Sequence, residues 1–553
     1  MRASLRCGLV VSLLPIAALS AQTGRSMQLL APPALGVDCR VAVTYPSAEQ
    51  GNLYAVLWSG PFAGAVPFLV PGFATFGLLR LDSGQLQIGA TGAFDASGTA
   101  AVALPVPDDV ALLGFAFDLQ SVDLDLASLS LHFADNDLAL TVAGLRQDWE
   151  AIFAHTVGGH DSFRAVVANA AGVYVTGSSV GYRSWSPFNP YSYEITTHRY
   201  AVDGALLWQQ RYDSAGAGFD DTGVDLAVAA NGDLVVLGQG PGASGDQDVV
   251  LLRYDAQGAQ QWVVRWNHTW SDAAADLAIS GDGSIYVLAQ AYNGGAVGDI
   301  TLLKFAADGL LQWERYFHGG YGTDVGVGLA FDSHGNIDIG GYSVGPGVGT
   351  NLDWVALEYD PSGTLLWSQR LVGSPTLPDY CWGMTVDVFD RVLLTGSLAN
   401  TGYSLAAFDD VGVHLWTTPL GMPGGAPYSE VRSDTSGNVF CASNSSVVAV
   451  NAAGAVSWQR TVLGQARAIE LDAAGQLFVT SSAMVAGANT QFVLSAFTVD
   501  GASLGARVVG DPLVDEFAVR GLAVAAGAVY AVGTTQNAAR STDGFLTRMV
   551  LVR

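Results

Sequence analysis

Three features of the sequence predict an all-β chain dominated by an eight-bladed β-propeller. Glycine, three residues and tryptophan recur six times, at Gly204–Trp208, Gly258–Trp262, Gly309–Trp313, Gly363–Trp367, Gly412–Trp416 and Gly454–Trp458. A short apolar strand recurs eight times, as VYVTG at 173, DLVVLG at 233, SIYVLA at 284, NIDIGG at 336, RVLLTG at 391, NVFCAS at 438, QLFVTS at 476 and AVYAVG at 528. Hairpin turns such as Asn231-Gly232, Asp282-Gly283, Asp203-Gly204 and Asp308-Gly309 separate the strands. Strands repeating with a period of roughly 40–60 residues are the signature of a propeller or array.

Taken in order, residues 1–21 read as a cleavable signal peptide: Arg2 and Arg6 precede the apolar run Cys7 to Ala18, and Leu19-Ser20-Ala21 closes it with small residues. The expected destination is the periplasm, the cell surface or the medium. No later stretch approaches the ~20 apolar residues of a spanning helix, so no integral membrane segment is expected. Residues 22–144 lack the repeat but carry runs such as CRVAVTY, LYAVLW, AAVALPV and ALTVAG between Pro and Gly clusters, the pattern of a small β-sandwich-like domain.

Residues 145–553 are expected to form the propeller. The clearest unit runs from Asp221 to Trp266 and contains four strands, VDLAVAA, DLVVLG, QDVVLLRYD and AQQWVVRW. The last unit lacks a fourth strand, whereas DWEAIFAH, with Trp149, stands spare before the first. The N-terminal segment is therefore expected to supply the outer strand of blade eight, closing the ring and removing exposed sheet edges.

The repeated residues have structural explanations. Each turn glycine supplies a positive φ. Trp149, Trp208, Trp262, Trp313, Trp367, Trp416 and Trp458 can lay flat rings against neighbouring blades, with a degenerate copy near Leu504. Asp161, Asp221, Asp272, Asp324 and Asp379, with Asp515 at a shifted spacing, precede the first strands and suit backbone capping. Calcium binding is the alternative for these carboxylates, although no Asp-x-Asp-x-Asp-Gly loop exists. Gly177 to Gly181 and Gly341 to Gly345 match Gly-x-Ser-x-Gly, but that motif requires a strand, a sharp turn and a helix, and no helical period follows either copy. His155, His160 and Asp161 lie close in sequence without further ligand spacing. No catalytic, cofactor-binding or metal residue is assigned.

Loop length carries the functional signal. Connections between strands one and two and between strands three and four are tight. Those between strands two and three and between blades are long, variable and on the opposite face, where loops on a rigid scaffold acquire binding. The longest insertion, Ser178 to Tyr193, contains Tyr182, Trp185, Phe188, Tyr191 and Tyr193, side chains suited to stacking on sugars or anchoring a protein.

The formal charge is −26, and loss of Arg2 and Arg6 makes it −28. Nucleic acid is thereby disfavoured as a partner, and with Lys304 the sole lysine no polybasic patch exists for anionic lipid. Cys39, Cys381 and Cys441 remain after the signal peptide, an odd number with no metal-type spacing. A monomer is expected.

The unit Asp-x-x-(Asn/Asp/His)-Gly-strand-Gly, loop, Tyr-Asp-x-x-Gly-x-x-x-Trp, as in DSHGNIDIGG and YDPSGTLLW between 332 and 367, resembles bacterial β-propeller repeats of the SBBP type. This resemblance implies a secreted or surface protein. The tryptophan-docking repeats of quinoprotein dehydrogenases, and of an outer-membrane assembly lipoprotein, are similar at the level of fold. The dehydrogenases' adjacent cysteines and the lipoprotein's lipid-modified cysteine are both missing here. Sialidase Asp-boxes place glycine two residues after the aspartate, whereas these repeats mostly place it three after. The expected function is a non-enzymatic binding or scaffold protein for a protein or carbohydrate. The alternative is a propeller hydrolase, lyase or quinoprotein-like dehydrogenase with a loop-borne site.

Overall fold

In a computed structural model, the described residues run from 144 to 552 apart from 155–159, 183–190, 215–219, 243–244, 293–296, 321, 346–350, 422–429, 486–488, 510–515 and 537–541; before 144 they are the backbones of ten strands. The chain divides into two compact units, residues 1–146 with 504–506 and 551–553, and residues 147–503 with 507–550. In the N-terminal part, Ser26–Ala31, Cys39–Thr44 and Thr99–Leu104 form one sheet. A second has five strands, with Leu53–Ser59 between Gln87–Ala93 and Ala116–Asp125.

The remainder is eight four-stranded antiparallel sheets. Blades 1 to 7 occupy 162–212, 222–266, 272–317, 324–371, 380–419, 430–461 and 465–509. Blade 8 combines Glu516–Ala525, Ala528–Gln536 and Thr542–Val552 with Gly144–Phe153 as its outer strand, so the N-terminal strand closes the ring as the unit count requires. The first strand of each blade is innermost and neighbours the first strands on either side, including blade 8 beside blade 1.

The core lies in the seams between blades. One cluster joins Val235, Leu237 and Leu251 of blade 2 to Ile285, Val287 and Leu303 of blade 3, all 1% exposed or less. Second and third strands are apolar on both faces because both faces meet a neighbouring blade. Fourth strands, at the outer edge, leave residues such as Leu206, Leu311 and Leu366 in solvent.

Tryptophan locks seven of the eight seams from outside. The ring of one blade lies on the turn glycine of the next, Trp149 on Gly204, Trp208 on Gly258, and so around to Trp458 on Gly501. A Cβ on any of the seven glycines would sit 2.6–3.1 Å from ring carbons. The Nε1–H of Trp149, Trp208, Trp262, Trp367 and Trp458 donates to a carbonyl of the same turn at 2.8–3.2 Å. Arg315 and Arg460, two residues after their tryptophans, lie over those rings and donate to the carbonyls of Gly363 and Gly501. These rings are half-buried rather than fully enclosed.

Counting from Gly501 places blade 7's tryptophan position on Gly505, beside Leu504. Blade 8 has no turn between its third and fourth strands, which come from opposite ends of the chain. Where there is no turn to receive a ring, there is no tryptophan.

Gly232 and Gly258 separate the two demands on glycine. Their φ values are 87° and 86°, but a Cβ on Gly232 meets nothing within 4 Å whereas one on Gly258 meets Trp208 at 2.8 Å. Gly232→Ala should cost about 1–2 kcal/mol for the left-handed backbone, and Gly258→Ala about 1–3 kcal/mol more for the displaced ring. Urea unfolding of both variants checks this; equal losses would show that the ring yields freely.

Candidate functional site

The two faces of the propeller are built differently. On one, thirteen five-residue turns share a single geometry, in which the first residue's N–H donates to the fifth carbonyl and the fourth N–H to the first carbonyl. Glycine is fourth in twelve of them, and Asp390, with φ 56°, takes that place in the thirteenth. On the opposite face the connections range from two residues at 444–445 to ten at 420–429.

The repeated aspartates sit where those variable connections enter the inner strands. Asp161, Asp221, Asp272, Asp324 and Asp379 are at most 2% exposed. Asp221, Asp272, Asp324 and Asp379 each accept an N–H from the incoming loop, from Ser214, His268, Gly319 and Gly373 at 2.6–2.9 Å. Asp161 and Asp379 also accept from Val180 and Ala399 at the end of the second strand. Burial pushes Asp221 and Asp272 up to about 6. A divalent cation has one suitable donor set among the described residues: Asp299, His318 and Asp324 offer ligand atoms within 4.8 Å of one another. His318 Nδ1 is already hydrogen-bonded to Asp299 at 2.8 Å.

Of the aromatic insertion, Trp185 and Phe188 lie outside the described residues, and Tyr182 and Tyr191 pair in the backbone ladder of blade 1. Tyr193 is half-buried, and its N–H donates to Asp220 at 3.0 Å. The exposed aromatic on this face that sequence reasoning missed is Trp270, in the connection 267–271 and 58% exposed. Its neighbours are fastened: His268 to Asp272 and Tyr316, Thr269 to Tyr292, and Ser271 to Gln247. The result is an indole in solvent on a braced loop.

The central channel is the second feature missed. Six inner strands carry a bulge, and the extra residue of each, Arg164, Val224, Ala275, Val327, Trp382 and Arg467, lines a cavity of about 550 Å³. A bulge re-aims a side chain that a regular strand would place elsewhere. The following position holds Asp225 and Asp276 in blades 2 and 3, and Glu430 lines the same cavity in blade 6. Asp225 accepts from Leu277 N–H of the next blade at 3.2 Å, and Asp276 from Leu329 N–H at 2.8 Å, so these carboxyls also tie inner strands together. Burial and mutual proximity raise Asp225, and burial raises Asp276. Arg432 bridges Glu470 at 3.0 Å and Glu430 at 3.6 Å. Burial opposes its charge, but the two glutamates outweigh it and hold the guanidinium protonated.

The Gly-x-Ser-x-Gly matches lie in second strands, and no helix occurs among the described residues. Their first glycines, Gly177 and Gly341, face the inner-strand bulge so closely that a Cβ would stand 2.0–2.2 Å from a backbone carbonyl. His155 lies outside the described residues, and His160 is hydrogen-bonded to Thr542. His198, buried against Phe153 and Phe163, is pushed down to about 3 by burial and by Arg211, and is a neutral core residue. Cys381 and Cys441 are buried free thiols, both pushed up to about 12 by burial.

No family model matches the chain. The regulatory protein FlaEY of Caulobacter vibrioides is 30% identical over 153 residues, 24% of this chain and 16% of its own length. Among solved structures, a protein of unknown function from Bacteroides caccae aligns over 61% of this chain and 99% of its own at 11% identity, with a TM-score of 0.31. A puromycin hydrolase variant aligns over 68% and 58% at 12% identity and 0.40. At these values the alignments assign neither fold nor activity. No helix among the described residues is long and apolar enough to cross a membrane.

Proposed function

We propose that this chain is an exported binding or scaffold protein of the SBBP-repeat kind, without an enzymatic role, that takes a glycan or protein partner on the variable face of its propeller. The observation that carries this reading is the contrast between the faces. Thirteen copies of one turn standardise the first face, while the connections of the second differ in length and one of them, the braced 267–271, leaves Trp270 exposed. A rigid aromatic in solvent loses little conformational entropy on binding and offers a large contact area.

A glycan array and a pull-down from the native envelope test this with the whole chain. Trp270→Ala should weaken capture about tenfold or more, as loss of a binding hot spot would, with melting unchanged because the ring is exposed. Capture that is unaffected by Trp270→Ala and by shortening of the 372–379 connection would remove the variable face as the binding surface. The paired carboxyls Asp225 and Asp276 favour a second reading, a propeller hydrolase or lyase acting in the channel. Turnover of a glycan or ester substrate that Asp276→Asn abolishes would replace the first reading with this one.

A further inference from the structure

In a chain with 50 acidic residues and 24 basic ones, arginines gather at one register of the inner ring. Arg467 of blade 7 and Arg164 of blade 1 are both bulge residues lining the cavity. Blades 7 and 1 therefore both place arginine at the bulge position that lines the channel. Val224, Ala275 and Val327 hold the same position in blades 2, 3 and 4.

The rest of the wall is complementary in kind. Trp382 of blade 5, four blades from Arg164, lines the cavity with part of a ring that also packs on Tyr380, with planes 8° apart, on Tyr403 and on the core between blades 5 and 6, which fixes its orientation. Asp225 and Asp276 adjoin the arginine arc through blades 2 and 3. Val224, Val327 and Met384 supply apolar surface. A cavity of about 550 Å³ lies within the usual range for small-molecule sites, and convergent polar groups on an apolar wall are their usual composition.

We propose that the central channel binds a small polyhydroxylated organic anion, a sugar acid or a sugar phosphate, with its charged group on Arg164 and Arg467, its hydroxyls on Asp225 and Asp276, and its ring against Trp382. Guanidinium forks match carboxylate and phosphate oxygens, carboxyl groups accept from sugar hydroxyls, and the part of the indole that lines the cavity offers apolar contact to a sugar ring. Burial and mutual proximity raise Asp225 and burial raises Asp276, a direction that lessens the pair's repulsion of an anion. The site is independent of the variable face and of any partner bound there.

Titration calorimetry on the whole chain tests it, with glucuronate, glucose 6-phosphate and neutral glucose as probes. At least one anion should bind with one-to-one stoichiometry, with glucose weaker by about tenfold or more. The stronger anion identifies the charged group. Arg467→Gln and Trp382→Leu should each weaken binding by about tenfold or more, whereas Trp270→Ala should leave it unchanged. If Arg467→Gln does not fold, Arg164→Gln is read instead, and competition by added sulfate reports the same anion site in the unaltered chain. No binding by either anion at about 10 mM, far above useful affinity, overturns the proposal. So does equal binding of glucose, or affinity unchanged in a folded Arg467→Gln or Arg164→Gln variant.

Discussion

A chain beginning at residue 158 should aggregate or melt far below one beginning at 143, because it lacks the strand that closes the ring. Gly144–Phe153 is the outer strand of blade 8, and without it Thr542–Val552 becomes an unpaired edge open to other chains. The strand also carries packing. Leu145 is 1% exposed, Trp149 covers Gly204 and donates to Val202, and Phe153 packs on Phe163 and His198 with centroids 5.8 and 4.4 Å away. Losing a packed Trp or Phe side chain costs about 3–5 kcal/mol, with half-buried rings toward the lower end, and a domain has only about 5–15 kcal/mol in hand. Two such rings, one buried leucine and a ladder of hydrogen bonds exceed that margin. Trp149→Ala with Phe153→Ala in the full chain gives a graded version, expected to lose several kcal/mol in urea. Size-exclusion profiles and melting temperatures that match for the two truncations would mean that the ring closes without this strand.

The fold was legible because its determinants repeat. A turn glycine, a tryptophan four residues later and a small residue ending the second strand each recur at fixed spacing, and the mismatch between strand and tryptophan counts is what a ring closed by the chain's other end produces. The reason for the glycine was only half legible. Positive φ follows from the turn, but contact with the preceding blade's indole relates residues about 50 positions apart that no local pattern connects. The site was less legible still. Arg164, Arg467 and Trp382 reach the channel because each inner strand holds one extra residue, and a bulge leaves no mark in hydrophobic alternation. Asp225 and Asp276, four residues after Asp221 and Asp272, were the available signal, since they are charges at a position held by glycine in Gly328 and Gly383. Trp270 was hidden for the opposite reason: it belongs to no repeat.

Replacing Asp338 with asparagine should stabilise the protein at neutral pH, by an amount that grows as the pH rises from 4 to 8. Asp338 is in the second strand of blade 4, 1% exposed, directly opposite Glu358 on the neighbouring strand, with its Oδ1 lacking a hydrogen-bond donor. Burial, followed by the charges of Glu358, Asp332 and Asp390, pushes it up to about 8. An unfolded aspartate titrates near 3.9, so between about pH 4 and 8 the native protein holds a proton that the unfolded chain has released. Stability from this group is complete below pH 4 and falls as pH rises, with a slope of at most about 1.4 kcal/mol per unit. The full span would be about 5 kcal/mol; relaxation around the cluster reduces what is measured to about 2–4 kcal/mol. Asparagine is nearly isosteric, carries no titrating proton and can donate its amide N–H toward Glu358, which already accepts from Asn336 and Trp367. The two proteins should therefore unfold at similar urea concentrations at pH 4 and diverge by pH 8, with the variant more stable. A constant difference across that range, or a variant less stable at pH 7, would show that Asp338 is ionised in the folded state and that the carboxylate itself is the stabilising form.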